Sequence, residues 1–270
     1  MALRNVLVHL DGGVRTPERL RLANTLSIRH GARLVGVFAQ RAAAHRVGIV
    51  ATWPTDEHKA AVEASRQQFA AATTGNARAE WQDLNRGGEQ QILELMTDQA
   101  RHFDLVVLGQ DEEGEARRAP AALVDQIILE SGRPVLVVPY AGHYTDIGQR
   151  PLMAWNDSRA AARALNDALP LLAKGCAATV ITFVQPNAPD KGTMPRILEH
   201  LATHDVKARE DRLVVQDFGI MDMLLNRAAE HGSDLLVAGA FGGYGFPALN
   251  RGSGTRFLLQ HMTLPVLFSH

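Results

Sequence analysis

Short runs of aliphatic and β-branched residues alternate along the chain with longer stretches in which apolar side chains recur every three or four positions. "NVLVHLD", Asn5 to Asp11, has the first pattern and ends on an acid; "GGVRTPERLRLANTLSIRHG" has the second, with Leu20, Leu22, Ala23, Leu26 and Ile28 suited to a helix. Gly31 closes that helix and "ARLVGVFA" supplies a second strand, so the chain opens as a βαβ unit. "HFDLVVLG" (His102 to Gly109) and "RPVLVVPY" (Arg133 to Tyr140) are further buried-strand runs, with the helical "ALVDQIILESG" between them. "HKAAVEASRQQFAAATTG" reads as an amphipathic helix with a solvated outer face. Alternation of this kind predicts a mostly parallel sheet with helices on its faces.

The same order then recurs. "PLMAWND" answers the first strand, "SRAAARALNDALPLLAKG" the first helix and "AATVITFV" the second strand; later "SDLLVAG" answers "FDLVVLG" and "LPVLFSH" answers "RPVLVVP". "TMPRILEHLATHDVKARE" reads as the second copy's shorter version of the middle helix. A repeat of well over a hundred residues is a duplicated domain, since solenoid periods are a few tens of residues. The expected organisation is two tandem Rossmann-like α/β domains, residues 1–142 and 148–270, joined by the turn-rich "YAGHYTDIGQR". The final strands "VLVVP" and "VLFS" are candidates for an internal pairing of the two domains, and a homodimer is compatible with the same edges.

Length and charge narrow the function classes. At 270 residues the chain can bury two cores, and a net charge of -1 gives no long-range field for nucleic acid or an anionic membrane. No apolar run reaches the length of a membrane span. The single cysteine, Cys176, has no intrachain disulfide partner and reads as a small core residue. A cytoplasmic protein with neither nucleic-acid nor membrane partners is the expectation.

Chemistry concentrates in "GAFGGYGFPALNRGSGT", Gly239 to Thr255, which joins a buried strand's carboxyl end to a helix start. Ligands bind at such strand ends in open α/β sheets. Glycine-rich backbone exposes amide N–H groups and a helix N-terminus adds partial positive charge, so phosphate is the favoured guest. Ser253 and Thr255 add hydroxyl donors. The alternative is a plain strand-to-helix connection with Ser253 as a cap. Neither G-x-G-x-x-G at the first βα turn nor a Gly-Lys-Ser/Thr loop is present. His200 and His204, four apart on a helix, read as surface histidines, and Trp155 as a packing residue. No metal site is expected, and no nucleophile, base and orienter stand together, so an enzyme is not the first reading.

The spacing Gly239, two residues, Gly242, nine residues, Gly252-Ser253, followed by a helix and a "PVL" strand, resembles the nucleotide-binding signature of the universal stress protein family. With the duplication, "AWND" and "LPVLFSH", the resemblance to its tandem-domain members covers nearly the whole chain. It implies a five-stranded α/β fold per domain, ATP or AMP in the C-terminal domain with Mg as the accompanying ion, and a role in stress response or signalling through an unknown protein partner. Slow ATP hydrolysis and a nucleotide-free scaffold are the alternatives. By position, Gly239 and Gly242 would line the ribose and phosphate path, Gly252, Ser253 and Thr255 would receive phosphates, and Ile181 and Thr182 would offer backbone groups to adenine. Asn156 stands where family members often carry an aspartate, with Asp157 following it, and Gly243 and Tyr244 stand where many carry a basic residue. In the first copy Gly109 and Asp11 are retained, but Glu112 replaces the second glycine and Ala121 with Ala122 replace Gly-Ser. Carboxylates at Asp111, Glu112 and Glu113 would repel phosphate, so that copy is expected to have lost nucleotide binding. Asp11 and Asn156 are equally well placed to be turn or capping residues.

Overall fold

The computed structural model of the chain describes residues 3–41, 45–47, 50–52, 54–84, 88–111, 118–186, 189, 192–214, 219–242 and 252–270. The chain divides into two compact units, Ala2–Thr145 and Asp146–His270.

The N-terminal unit runs β1 (Asn5–Leu10), α1 (Thr16–His30), β2 (Arg33–Phe38), the antiparallel pair β3 (His45–Val47) and β4 (Val50–Thr52), α2 (Asp56–Ala72), β5 (Ala79–Asp83), α3 (Glu89–Ala100), β6 (Leu105–Gly109), α4 (Leu123–Glu130) and β7 (Val135–Val138). Its main sheet has the order β7-β6-β1-β2-β5 with every neighbouring pair parallel. β1 lies between β2 and β6, and Val6, Leu7 and Val8 are fully buried, which is why these strands read as unbroken apolar runs. Edge strand β5 is covered by α2: Trp81 donates from Nε1 to Ser65 Oγ at 3.2 Å, stacks by Phe38 and lies under the Arg66 guanidinium. Thr55 caps α2 by accepting from the His58 amide at 3.1 Å.

Residues after β7 fold back on α1. The buried Glu18 carboxylate accepts from the Tyr144 amide at 2.9 Å, His143 Nδ1 at 3.2 Å and Arg21 Nη1 at 2.6 Å. Burial opposes the charge on Glu18, but these donors hold its carboxyl below the ordinary range. Arg15 reaches the Gly142 carbonyl at 2.6 Å from the same turn of α1.

The C-terminal unit runs β8 (Pro151–Ala154), α5 (Arg159–Ala168), β9 (Ala177–Val184), α6 (Met194–Thr203), β10 (Lys207–Val214), α7 (Ile220–Glu230), β11 (Leu235–Gly239), α8 (Ser253–His261) and β12 (Val266–Ser269), with a 3-10 turn, Leu169–Leu171, after α5. Its order is β10-β9-β8-β11-β12, again all parallel. The duplication extends to single hydrogen bonds. Asp104, just ahead of β6, accepts the Arg4 and Asn5 amides at 2.7 and 2.9 Å, and Asp234, just ahead of β11, accepts those of Gln149 and Arg150 at 2.8 and 3.0 Å. Cys176 is buried and unpaired at the start of β9.

One sequence expectation fails here. The helix read over 193–210 stops at Thr203, Asp205 turns at a φ of 62°, and Lys207–Val214 is an edge strand. Its "KAREDRLV" is largely exposed, so little apolar patterning marked it as strand. No helix among the described residues is long and apolar enough to cross a membrane.

Candidate functional site

The two units make the same turn after their first strand. In the C-terminal unit Asn156 Oδ1 accepts the Ser158 amide at 3.3 Å, and Ser158 then caps α5 by accepting the Ala161 amide at 3.1 Å. In the N-terminal unit Asp11 Oδ1 accepts the Gly13 amide at 2.9 Å. Both residues are therefore Asx-turn formers, with a short polar side chain holding the amide two positions on.

Their electrostatics differ. Asp11 also accepts from the Thr16 hydroxyl and pairs with Arg19, Nη2 to Oδ1 at 3.3 Å. Arg19 is buried and donates from Nε to the His9 carbonyl at 2.7 Å. His9 Nε2 donates to the Ala39 carbonyl at 2.6 Å, and burial pushes its imidazole pKa down. Burial alone would raise the Asp11 carboxyl, but Arg19, His9, Thr16 and the Gly13 amide together hold it far below the ordinary range. The guanidinium of Arg19 lies directly against Gly109, where any Cβ would collide with it. The strand-end crevice of the N-terminal unit is thus filled by an internal ion pair. Arg19 was missed in the sequence, although its signal was legible: it stands on the stripe of α1 that carries Leu20, Ala23 and Leu26, where a cation has to find a buried partner. Eight residues beyond Asn156 the corresponding residue of α5 is Ala164, which brings only a methyl group.

In the C-terminal unit the three motif glycines have different causes. A Cβ on Gly239 would stand 2.6 Å from Ala160 C and Ala161 N, so this glycine lets the end of β11 touch the start of α5. Gly252 has a φ of 83° and precedes α8 as its N-cap, in the left-handed region that glycine tolerates. Gly242 shows neither reason among the described residues: its φ is not positive, and the described atom that a Cβ there would meet is Ala160 Cβ, at an ordinary 4.0 Å. The two ends of the loop are tied together by the buried Thr255, whose Oγ1 accepts the Phe241 amide at 2.8 Å. Ser253 begins α8, whose N-cap position, Gly252, carries no side chain to cap it. Gly243 and Tyr244 lie outside the described residues.

The second-strand residues are placed differently from each other. The Ile181 carbonyl accepts the Trp155 amide at 2.9 Å, and the side chain is fully buried. The Ala177 amide bonds the Gln149 carbonyl, whereas the Cys176 carbonyl accepts from Lys207, so odd-numbered residues of β9 face β8 and even-numbered ones face β10. Thr182 therefore directs its backbone into the β10 ladder, and Phe183 is the next residue whose backbone points past the end of β8. Trp155 Nε1 donates to Asp157 Oδ1 at 2.8 Å, and Thr193 Oγ1 donates to the same oxygen at 2.9 Å. His200 bonds Asn166 and packs against His204 on the exposed face of α6. No group of three or more His, Cys, Asp or Glu side chains arranged to hold a metal occurs among the described residues.

Two five-stranded parallel sheets, each with a turn-forming residue after its first strand and a strand-to-helix loop at its fourth, define a tandem α/β protein of the universal stress protein fold. The chain is similar over 98% of its length to a universal stress protein from Archaeoglobus fulgidus DSM 4304, with a TM-score of 0.74, 16% sequence identity and 95% of that chain covered. It is also similar to a protein described as a universal stress protein from Pseudomonas aeruginosa UCBPP-PA14 (TM-score 0.56, 16% identity, 99% of this chain and 93% of that one). A protein of unknown function from Pseudomonas aeruginosa PAO1 gives a TM-score of 0.55 at 15% identity, covering 99% and 92%. The resemblance read from the glycine spacing and the duplication is borne out at the level of the fold. No family model matches the sequence, and no curated protein matches it.

Proposed function

We propose that this chain is a universal stress protein-like adenine-nucleotide-binding protein, holding ATP or AMP at the C-terminal unit and acting in stress response or signalling through a protein partner. The observation that carries the reading is Gly242. It is bare backbone beside a strand end, without a positive φ or, among the described residues, a packing contact to demand glycine, and Thr255 holds the neighbouring Phe241 close to the start of α8. Backbone amides at Gly252, Ser253 and Gly254 supply the donors for phosphate. Gly239 acts by seating α5, and Asn156 by shaping the turn beside the ligand. Ile181 is packed in the core beneath, and the side chain of the half-buried Thr182 forms the wall on which the adenine rests, its edge reading the backbone beyond the end of β8. A neutral Asn156 in place of an acid removes one repulsion from the phosphates. Mg2+ would arrive bound to the phosphates of ATP.

Thermal unfolding of the wild type with and without ATP, AMP and cyclic AMP tests this. Ligand at a hundredfold its Kd stabilises the native state by about 2.7 kcal/mol, a shift of roughly 5 to 10 °C for a chain of this size. Gly252→Val and Gly242→Val should abolish the shift. The absence of any shift at millimolar nucleotide would overturn the reading in favour of a scaffold, and ADP release that falls in Ser253→Ala would make the protein a slow hydrolase.

A further inference from the structure

β10 is the outermost strand of the C-terminal unit's sheet, and among the described residues no strand pairs with its far side. It runs for eight residues, Lys207–Val214, without a proline, a glycine or a positive φ, in one-to-one register with β9. The Lys207 amide bonds the Cys176 carbonyl, so the odd-numbered residues of β10 direct their backbone groups to β9. Ala208, Glu210, Arg212 and Val214 therefore turn an N–H and a C=O outward, a continuous row of pairing groups. Glu210 is exposed and its carboxylate has no hydrogen-bond or ion-pair partner among the described residues. Arg212 is exposed and has an interaction of its own, and its guanidinium carries five N–H donors. Val214 is 65% exposed.

We propose that β10 pairs antiparallel with the β10 of a second copy of this chain, across a two-fold axis at Asp211. In an antiparallel pair only residues whose backbones both face the partner can exchange hydrogen bonds, so even-numbered residues must stand opposite even-numbered ones. With the axis at Asp211, Glu210 falls opposite the second copy's Arg212, and Ala208 opposite its Val214, each twice by symmetry. An axis at Glu210 or at Arg212 would instead set that charge against itself, and like charges directly opposite oppose pairing. The charge pattern of the edge thus complements itself in one register. On the other face Arg209 falls opposite Leu213, and Asp211 meets its own copy with its charge already balanced: His231 Nε2 donates to its carboxylate at 2.8 Å, and Arg227 Nε lies 3.6 Å from the same oxygen. This edge is distinct from the final strands "VLVVP" and "VLFS" and independent of the nucleotide reading.

Sedimentation velocity of the full chain, from micromolar to sub-millimolar concentration, tests the proposal. The expected result is a reversible monomer–dimer equilibrium whose Kd rises at least tenfold in Glu210→Arg and in Arg212→Glu, because each reversal sets two like-charge pairs across the axis. Mixed in equal amounts, the two variants should associate with each other about as well as the wild type does with itself, since every arginine then meets a glutamate. The double variant Glu210→Arg/Arg212→Glu should recover in the same way. Both side chains are exposed, so the variants keep the fold, which circular dichroism checks. Val214→Pro, which deletes an outward N–H and none that β9 uses, should also weaken the dimer. A wild type that stays monomeric overturns the proposal and leaves the charges as guards against aggregation. A dimer indifferent to both reversals, or variants that do not recover on mixing, overturns it as well.

Discussion

The hydroxyl oxygen of Thr255 accepts a buried amide, so replacing it with valine strands the Phe241 N–H without a partner. Thr255→Val should therefore cost about 1 to 3 kcal/mol of stability, with Thr255→Ser largely restoring it; denaturant unfolding of the two variants measures both. This separates holding the loop from touching the ligand, which sequence position alone merges. Residue types at strand ends were legible: Asp11 and Asn156 were recognised as either turn formers or ligand neighbours, and both form turns. What each side chain pairs with was not legible. The Arg19–Asp11 contact depends on the helix seating Arg19 over the end of β6, a tertiary fact with no local signature beyond a cation on an apolar stripe.

At the scale of elements, glycine spacing reports two unrelated requirements. Gly239 is a packing glycine and Gly242 is not, so Gly239→Ala should destabilise the C-terminal unit by about 1 to 3 kcal/mol through the clash with the α5 backbone, while Gly242→Ala leaves stability within about 0.5 kcal/mol. Thermal melts of the two alanine variants check this, and equal losses would mean that Gly242 too is structural. The buried strands and the helices α1, α4, α5 and α8 were readable because complete burial forces unbroken apolar runs and clear helical periodicity. β10 was not, because an exposed edge strand carries charge at most positions and looks like the continuation of a solvated helix. The short β5 and the helices α3 and α7 went unassigned for a similar reason: β5 is mostly half-buried, and the two helices bury only part of one face.

For the whole molecule, duplication has left two units with one fold and different electrostatics. Asp11 and Glu18, the buried carboxyls held below the ordinary range, both belong to the N-terminal unit. A depressed folded-state pKa contributes stability that is complete above the unfolded value and is lost progressively as pH falls from there through the folded value. The N-terminal unit should therefore weaken first as pH drops from about 5 through the carboxylate range, and Glu18→Gln should flatten its acid dependence. Circular dichroism alone would blend the two transitions. The tryptophans resolve them: Trp81 lies under Arg66 in one unit, and Trp155 is hydrogen-bonded to Asp157 at the strand end of the other. With Trp53 and one of this pair replaced by phenylalanine, the remaining indole becomes a fluorescent beacon for its own unit, and the beacon at Trp155 stands beside the proposed nucleotide loop.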